Sequence, residues 1–543
     1  MDSNNCKYYL GIDLSTQQLK CTVINESHAI VYENCVNFER DLPEFNTKNG
    51  AISHGNNVFT SPPLLWVKAL DILLSRLKKT PYVSKIVAIS GAAQQHGSVY
   101  WSQKGADKIK QLDASKTLHD QLEGAFSISQ SPIWQDSSTT KQCEELEDFV
   151  GGPEKLAQLT GSKAYERFTG NQIAKIYQTQ RNEYNATVWI TLISSFIGTL
   201  LSGNIAPCDV SDASGTNLMD IHKHQWINKL LEHCGGPDLK KKLVLEPIEG
   251  GKLLGLIDHY YVQRYGFSQD CQLFPFTGDN PATLVSMDLQ QGDCVVSLGT
   301  SDTVLVYLRE AKPTIESHLL AHPIDPQGYM GMLCYKNGSL TREHFRDVYA
   351  NSDWDTFNQL LNSTPTIPEY KGFYYWKQEI IPFAKGIYRF ENKQLVDEFS
   401  TSATTLKNNT LSISGINIRC LIESQFISMK IRLDRMVGEN TTYPLKRVLA
   451  TGGASKNHAI LQVLSNIFGL PVYIQKEGLN GASLGGALLA KYGSMANSTS
   501  FHDMMEAHQN ETLQLVCEPE LPLSSMYSNQ IQDYIHLENQ CIQ

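Results

Sequence analysis

The sequence is poor in charge and has no long apolar run, and both shortages restrict the kind of protein it encodes. Only 19% of the 543 residues are charged while 41% are hydrophobic, which excludes a wholly disordered chain. The 46 basic and 56 acidic residues leave a formal net charge of −10, which argues against a general binder of nucleic acid or of anionic membranes. The longest apolar stretch, residues 188–201, is shorter than the about 20 residues of a membrane span, so we predict a buried helix there.

Spacings that signal metal or redox chemistry are also missing. None of the 12 cysteines forms a C-x-x-C pair, so neither a zinc site nor a thioredoxin-like motif is indicated. The first residues are polar and the apolar ones that follow include Asp13, so no secretory signal is predicted. We therefore expect reduced thiols and a cytoplasmic protein without nucleic-acid or membrane partners.

Alternating strand-like and helix-like segments predict an α/β fold. Residues 8–14 and 20–24 are β-rich and flank a polar turn, which predicts a hairpin. Residues 294–298 and 303–308 repeat this design around a second small turn, and we interpret them as the start of a second domain with a related core. The length favours two to four domains at about 150 residues each.

The C-terminal part is predicted to be mostly helical and then irregular. Residues 415–436 indicate a long amphipathic helix, and a strand at 447–450 is followed by a helix at 457–468. Residues 495–543 lack strong periodicity, and we expect an irregular tail there.

The standard nucleotide-binding motifs, G-x-x-x-x-G-K-[ST] and G-x-G-x-x-G, do not occur. Three turns of small residues offer another way to hold phosphate, at residues 15–18, 299–301 and 452–454. The first two can present backbone N–H groups and hydroxyls, and the third lies between a buried strand and a helix, where α/β sheets bind ligands. Taken singly, the first two are better explained as ordinary hairpin turns. For the third, ligand binding and tight packing of strand on helix explain the glycines equally well.

Several polar side chains could carry chemistry next to these turns. Asp13, at a strand end, could hold Mg²⁺, and Asp279 could act as a general base near an interdomain cleft. The run Gln94-Gln95-His96-Gly97 offers amides suited to a polyol, and Arg167 could meet a sugar oxygen or a phosphate. For most of these motifs in isolation, a structural role is the commoner explanation.

Taken in order, the motifs resemble the FGGY family of carbohydrate kinases over roughly residues 7–493. The resemblance is carried by Gly11-Ile12-Asp13-Leu14-Ser15-Thr16-Gln17, Gln94-Gln95-His96-Gly97, Gly278-Asp279-Asn280, Ser297-Leu298-Gly299-Thr300-Ser301 and Ala450-Thr451-Gly452-Gly453-Ala454-Ser455. Five motifs in the right order are far more specific than any one of them. The resemblance implies two actin-like (ribonuclease H-like) ATPase domains flanking an interdomain cleft: a sugar-binding domain at 1–286 and a nucleotide-binding domain at 287–543.

The same resemblance assigns site residues. It implies that the sugar is contacted by Gln95, His96, Arg167, Asp279 and Asn280, with Asp279 as the catalytic base. It implies that the nucleotide is bordered by Thr16, Gly299, Thr300, Ser301, Trp354, Gly452, Gly453, Ala454 and Asn457, and that Asp13 holds the metal.

The implied reaction is the ATP- and Mg²⁺-dependent phosphorylation of D-xylulose to D-xylulose 5-phosphate, by a monomer or homodimer. The Gln-Gln-His-Gly run and the Gly-Asp-Asn-Pro-Ala run resemble the eukaryotic subgroup of the family that acts on this sugar. Other possibilities stay open: a kinase for D-ribulose or L-xylulose, an actin-like ATPase switch without sugar transfer, or an inactive member that senses sugar.

Overall fold

The computed structural model describes most of the chain, namely residues 6–310, 312–400, 405–406, 409–410, 412–438, 441–475, 481–505 and 513–542. Strands and helices alternate through these ranges, and two mixed sheets form the framework of the molecule. The predicted α/β class is therefore confirmed.

The first sheet comes from the N-terminal half of the chain and has six strands among the described residues, in the order β12-β13-β6-β1-β2-β3. Its strands are β1 (Tyr8–Leu14), β2 (Gln18–Asn25), β3 (Ile30–Asn37), β6 (Ile86–Ala93), β12 (Gly255–Leu256) and β13 (Gln272–Gly278). Strand β1 pairs antiparallel with β2 and parallel with β6, which also pairs parallel with β13. Because parallel strands end at the same edge, Asp13, Gln94 and Asp279 are brought to one edge of this sheet.

The second sheet repeats this arrangement, as the two similar sequence segments predicted. Its seven strands in the described ranges follow the order β16-β17-β15-β14-β23-β24-β25. They are β14 (Asp293–Leu298), β15 (Asp302–Leu308), β16 (His318–Ala321), β17 (Tyr329–Tyr335), β23 (Arg447–Thr451), β24 (Val472–Gln475) and β25 (Leu513–Cys517). Strand β14 pairs antiparallel with β15 and parallel with β23, just as β1 pairs with β2 and β6.

Short sheets and helices fill the space around the two main sheets. The small sheets contain β4 (Ile52–Ser53), β5 (Phe59–Ser61), β7 (Ser98–Ser102), β8 (Ser131–Pro132), β9 (Thr187–Leu192), β10 (Met219–Asp220), β11 (Gln225–Trp226), β18 (Tyr370–Tyr375), β19 (Gly386–Glu391), β20 (Gln394–Val396), β21 (Thr405–Leu406) and β22 (Asn409–Thr410). The helices are α1 (Phe38–Asp41), α2 (Pro63–Leu77), α3 (Gln103–Lys108), α4 (Leu118–Gln121), α5 (Thr140–Val150), α6 (Pro153–Thr160), α7 (Thr169–Thr179), α8 (Arg181–Ala186), α9 (Ile193–Ser202), α10 (Val210–Ala213), α11 (Asn228–Gly235), α12 (Leu239–Leu243), α13 (His259–Tyr265), α14 (Asp279–Ser286), α15 (Ser339–Tyr349), α16 (Trp354–Ser363), α17 (Ile413–Val437), α18 (His458–Phe468), α19 (Ala482–Met495) and α20 (Leu521–Asn539). Within the described ranges, no helix has the length and apolarity that crossing a bilayer requires.

Two helices tie the sheets together at their adjoining edges. Helix α14 follows β13 directly, and α19 returns from the second sheet to pack on β1 and β6 of the first. A side chain at Gly11 would overlap the Ser483 carbonyl of α19, and one at Gly486 would lie 2.5 Å from the Cα of Gly91. These glycines let the backbone of α19 lie directly against the sheet.

Two sequence predictions are wrong in their details. The apolar stretch 188–201 is not one helix, because β9 occupies Thr187–Leu192 and α9 begins at Ile193. The C-terminal segment is not irregular throughout, because β25 extends the second sheet and α20 packs on α17 and α18.

The long helix α17 is present, but it is not amphipathic as predicted. It is buried along nearly its whole length, including charged residues such as Glu423 and Arg432. The Tyr527 hydroxyl of α20 donates to Glu423 at 2.8 Å, and Arg432 pairs with Glu538 of α20 at 2.9 Å. The polar face of α17 is thus covered by the segment that we predicted to be irregular.

Candidate active site

Two carboxylates define the floor of the site at the edge of the first sheet. Asp13 lies at the end of β1 with 7% of its side chain exposed, and Ser15 Oγ donates to its Oδ2 at 2.6 Å. Asp279 is the first residue of α14, and its Oδ1 accepts the backbone N–H of Asn280 at 3.0 Å. Burial raises the pKa of Asp13 to about 6, and burial together with the Asp13 charge raises the pKa of Asp279 to about 7.

The first of these carboxylates has room for a cation. Asp13 Oδ1 is buried and has no hydrogen-bond partner among the described residues. Nor does any group of three or more His, Cys, Asp or Glu residues form a closed metal site in that part of the chain. Mg²⁺ fits such a position, because it is commonly held by one or two carboxylates together with phosphate oxygens and water.

The side chain of Gln95 links helix α14 to helix α10. Its Oε1 accepts from Asn280 Nδ2 at 3.2 Å, and its Nε2 lies 3.5 Å from Asp212 Oδ1. A side chain at Gly278 would lie 2.5 Å from Gln95, so the glycine makes room for this amide. Asp212 in turn accepts from Ser194 Oγ at 2.5 Å, and burial raises its pKa to about 7.

His96 is held rigidly as a neutral hydrogen-bond acceptor. Its Nδ1 lies 2.9 Å from the Gly215 carbonyl, which can only accept, so the proton is on Nδ1. Burial and the nearby Arg167 charge lower the pKa of His96 to about 3, which leaves the Nε2 lone pair unprotonated. The ring stacks on Phe168 at 4.5 Å, and the backbone is left-handed with φ of 72°.

Arg167 connects the surroundings of His96 to the second sheet. Its Nη2 lies 2.8 Å from Nε2 of His318 on β16, and its guanidinium lies 4.9 Å from the ring of Tyr165. Burial and the Arg167 charge hold the pKa of His318 well below its usual range. His318 is therefore neutral and accepts from Arg167, while its Nδ1 can donate to Ser162 Oγ at 3.3 Å.

A buried ion pair lies directly after the second small turn, Gly299-Thr300-Ser301. Arg342 of α15 binds both carboxylate oxygens of Asp302, at 2.7 and 2.8 Å, and neither side chain is exposed. The backbone N–H of Ser339 donates to the Gly299 carbonyl at 2.9 Å, so the start of α15 adjoins the turn. Thr300 and Ser301 are exposed at its tip.

The third turn lies beside the second. Gly452 has a φ of 84°, and a side chain there would lie 2.6 Å from the Leu298 carbonyl at the end of β14. A side chain at Gly453 would meet open space, and Ala454 is half-buried. Asn457 caps α18 by accepting from Ile460 N.

Helix α16 completes this second group. Asn457 Nδ2 donates to Asn358 of α16 at 2.8 Å. Trp354 is four residues before Asn358 and so shares its helix face. The Trp354 ring is half-buried, with the Arg346 guanidinium 4.9 Å away.

The predicted site residues thus fall into two groups, one on each sheet. Asp13, Gln95, His96, Asp279 and Asn280 surround the edge of the first sheet. Thr16 lies on the turn beside them and accepts from the exposed Trp134 indole at 2.8 Å. The second group contains Gly299, Thr300, Ser301, Trp354, Gly452, Gly453, Ala454 and Asn457. Among the described residues, no hydrogen bond or ion pair joins these two sets. Thr16, which was predicted to border the nucleotide, thus lies with the first group, and Arg167 lies near His96 of that group.

Four residues of the site were missed by sequence reasoning: Ser194, Asp212, His318 and Arg342. Ser194 and Asp212 are far from the motifs in sequence, and His318 opens an ordinary strand. Arg342 belongs to none of the motifs. Their partners are set by tertiary packing, so no local pattern signals them.

Comparisons with known proteins agree with this architecture. The models of the FGGY family of carbohydrate kinases match residues 126–286 for the N-terminal domain and 294–494 for the C-terminal domain. The chain is 41% identical over 538 residues to a xylulose kinase of Rattus norvegicus, covering 98% of this chain and 97% of that protein. It is 40% identical over 558 residues to xylulose kinase 2 of Arabidopsis thaliana, covering 98% of this chain and 97% of that protein.

A solved structure shows the same fold. The xylulose kinase from Rhodospirillum rubrum superimposes with a TM-score of 0.79, covering 98% of this chain and 99% of that one, at 16% identity. The two sheets of like topology therefore place the chain in the class of proteins with a two-domain, actin-like fold.

More narrowly, the chain belongs to the FGGY family of carbohydrate kinases, because both family models and relatives of 41% identity match it. It is a kinase enzyme, as the order of the motifs predicted.

Proposed function

We propose that this kinase transfers the γ-phosphoryl group of ATP to the C5 hydroxyl of D-xylulose. The observation that carries the chemistry is Asp279, a half-buried carboxylate at the start of α14 beside Asp13, Gln95 and Asn280. Relatives from mammals, a plant and fungi that are about 40% identical are named for xylulose, which supports this choice of sugar.

Asp279 acts as the general base of the reaction. The C5 oxygen forms a bond to the γ-phosphorus, the bond from that phosphorus to the β–γ bridging oxygen breaks, and the hydroxyl proton passes to the Asp279 carboxylate. A base with a pKa of about 7 is suited to this transfer near neutral pH. Since the transition state of phosphoryl transfer is loose, orientation of the hydroxyl contributes more than base strength.

The other residues of the first group bind and orient the sugar. His96 Nε2 accepts a hydrogen bond from a sugar hydroxyl, because its Nδ1 proton is committed to Gly215. Asn280, held by Gln95, and Arg167, held by His318, supply donors to sugar oxygens. The second group, with its exposed turn and open Gly453, borders the nucleotide.

Mg²⁺ would be held by Asp13 together with phosphate oxygens. When bound, this ion neutralises charge that develops on the phosphoryl oxygens. We also propose a division near residue 286, with the sugar on the N-terminal domain and the nucleotide mainly on the C-terminal one. The cytoplasmic location and the monomeric or dimeric state stay predictions.

The experiment that tests the proposal is ADP release by the purified protein with Mg²⁺-ATP. D-xylulose, D-ribulose, L-xylulose, glycerol and no sugar are compared at equal concentrations. A kcat/KM for D-xylulose well above the others is expected. A preference for D-ribulose or L-xylulose would replace the sugar and keep the mechanism, whereas equal ADP release without sugar would contradict both.

A further inference from the structure

The amide of Gln94 is buried at the edge of the first sheet without any partner. Gln94 has 1% of its side chain exposed, and neither Nε2 nor Oε1 makes a hydrogen bond within the described part of the chain. Buried amides are almost always paired, because an unpaired one loses its bonds to water and gains none in return. Gln530 of α20, a helix that carries no predicted site residue, is buried and unpaired in the same way, so it is the position of Gln94 at the end of the first sheet that points to a group arriving with the reactants.

The position of Gln94 follows from the strands beside it. Its backbone N–H donates to the Leu14 carbonyl at 2.9 Å, so the pairing of β6 with β1 continues past the end of both strands. Ala92, two residues earlier, pairs with Asp13 and packs against Ala282 of α14. Because side chains alternate along a strand, Gln94 is on the same face as Ala92 and Asp13.

The course of the backbone brings Gln94 to the same end of the first sheet as Asp279. From the contact between Ala92 and Ala282, the strand advances two residues to Gln94, about 6.6 Å toward the end of the sheet. Helix α14 leads three residues back to Asp279, about 4.5 Å in the same direction. Gln94 and Asp279 therefore both lie at this end of the sheet.

We propose that Gln94 is a further catalytic residue, whose Nε2–H donates to an oxygen of the transferred phosphoryl group. This inference rests on the proposed function, since it names a contact of the same site. The amide nitrogen offers two N–H donors, and the phosphoryl group offers acceptor oxygens. The N–H donor stabilises charge that develops on a phosphoryl oxygen, in a site that excludes water.

The neighbouring amides show why Gln94 differs from a structural glutamine. Gln95 is occupied by Asn280 and Asp212. Gln121, which is equally buried but outside the site, accepts from Asp113 N at 2.7 Å and donates to the Asp113 carbonyl at 3.1 Å. Gln121 therefore provides a matched control of the same residue type.

The test compares Gln94→Met and Gln121→Met with the wild type in ADP release and in thermal unfolding without ligands. Met keeps the length of the side chain and removes its hydrogen bonds. For Gln94→Met we expect kcat to fall about 100-fold, the usual effect of one lost oxyanion donor. Its Tm should be at least that of the wild type, because an unpaired buried amide has been removed. For Gln121→Met we expect a lower Tm and an unchanged kcat.

Two results would overturn the role of Gln94. One is a kcat of Gln94→Met within about threefold of the wild type on the sugar that the wild type prefers. The other is a fall in Tm that matches the fall in Gln121→Met, which would make the amide structural. If Gln94→Met does not fold, Gln94→Leu is used, and failure of both to fold while Gln121→Met folds also overturns the proposal. The sugar preference of the wild type is measured in the same assay, so an error in the proposed sugar is recognised separately.

Discussion

At the scale of single residues, the proposed base Asp279 lies within the electrostatic influence of a second carboxyl, Asp13. Burial and the charge of Asp13 raise the pKa of Asp279 to about 7, so a large part of the proposed base is protonated below neutral pH.

The first prediction is a pH dependence of the sugar reaction. A base must be ionised, so kcat/KM for the sugar should fall as pH decreases through about 7. Asp13→Asn removes a like charge and should shift this limb to lower pH, in addition to reducing kcat. The profile is measured by ADP release at saturating ATP, and a kcat/KM that stays constant below neutral pH would argue against Asp279 as the base.

The second prediction concerns Asp279 itself. Asp279→Ala should lower kcat by about 10²–10⁴-fold, the usual contribution of a general base. Nucleotide affinity should change little, because all the residues predicted to border the nucleotide except Thr16 lie on the second sheet or its helices. Steady-state kinetics and ADP binding by calorimetry check both parts, and turnover near that of the wild type would remove Asp279 from this role.

The third prediction separates binding from packing at His96. His96→Ala should raise KM for the sugar about 10-fold, because a buried acceptor for one hydroxyl is lost. The control is His233→Ala: His233 stacks on Phe149 at 4.4 Å and 22°, much as His96 stacks on Phe168 at 4.5 Å and 21°. A sugar KM that is equal in the two variants would make His96 structural.

At the scale of elements, a strand, a turn and a helix are joined by one buried ion pair. Asp302 begins β15 directly after the turn at 299–301, and Arg342 lies in the first turns of α15. The pair makes two parallel hydrogen bonds and is fully buried, which suits a turn that we propose to lie against phosphate.

The fourth prediction is the stability of this element. Arg342→Met should cost about 3–5 kcal/mol, because it leaves the Asp302 charge buried and unpaired. The double variant Arg342→Met with Asp302→Leu should recover most of the loss. The exposed pair of Lys141 and Glu145, 3.5 Å apart on α5, is the control, and Lys141→Met should cost less than about 1 kcal/mol. Urea unfolding measures all three, and equal midpoints for the two single variants would contradict this account.

Local patterns predicted the elements only where neighbouring residues decide them. The hairpins of both sheets were predicted correctly, because alternation around a polar turn requires no distant partner. The stretch 188–201 was misassigned, because a fully buried strand and a buried helix are both continuously apolar. The tail was misassigned because β25 is a strand only through its pairing with β24, and α20 is ordered by packing on α17.

At the scale of the whole molecule, the second sheet contacts the N-terminal half of the chain beside Arg167 as well as at α14 and α19. The backbone N–H of Leu319 on β16 donates to the Gly161 carbonyl at 2.9 Å, and His318 beside it holds Arg167. A residue of the second sheet thereby positions a residue that we propose to contact the sugar.

The fifth prediction tests this contact across the domains. His318→Ala should raise KM for the sugar by up to about 10-fold, since Arg167 loses its partner, while KM for ATP stays the same. The control is His222→Ala, because His222 also reaches the second domain, with Nδ1 3.3 Å from the Tyr329 hydroxyl, but touches no site residue. Equal sugar KM values in the two variants would show that Arg167 does not depend on His318.

The order of the motifs along the chain was sufficient to predict the family, and the two similar strand–turn–strand segments predicted the repeated sheet topology. These features follow from the strand ends and turns, which are encoded within a few neighbouring residues. The tautomer of His96, the pKa values of Asp13 and Asp279, the partners of Arg167 and Arg342 and the unpaired amide of Gln94 required the folded chain. Each of these features depends on burial or on a residue far away in sequence. Because folding alone buries these groups and brings distant residues together, the sequence pattern does not reveal them.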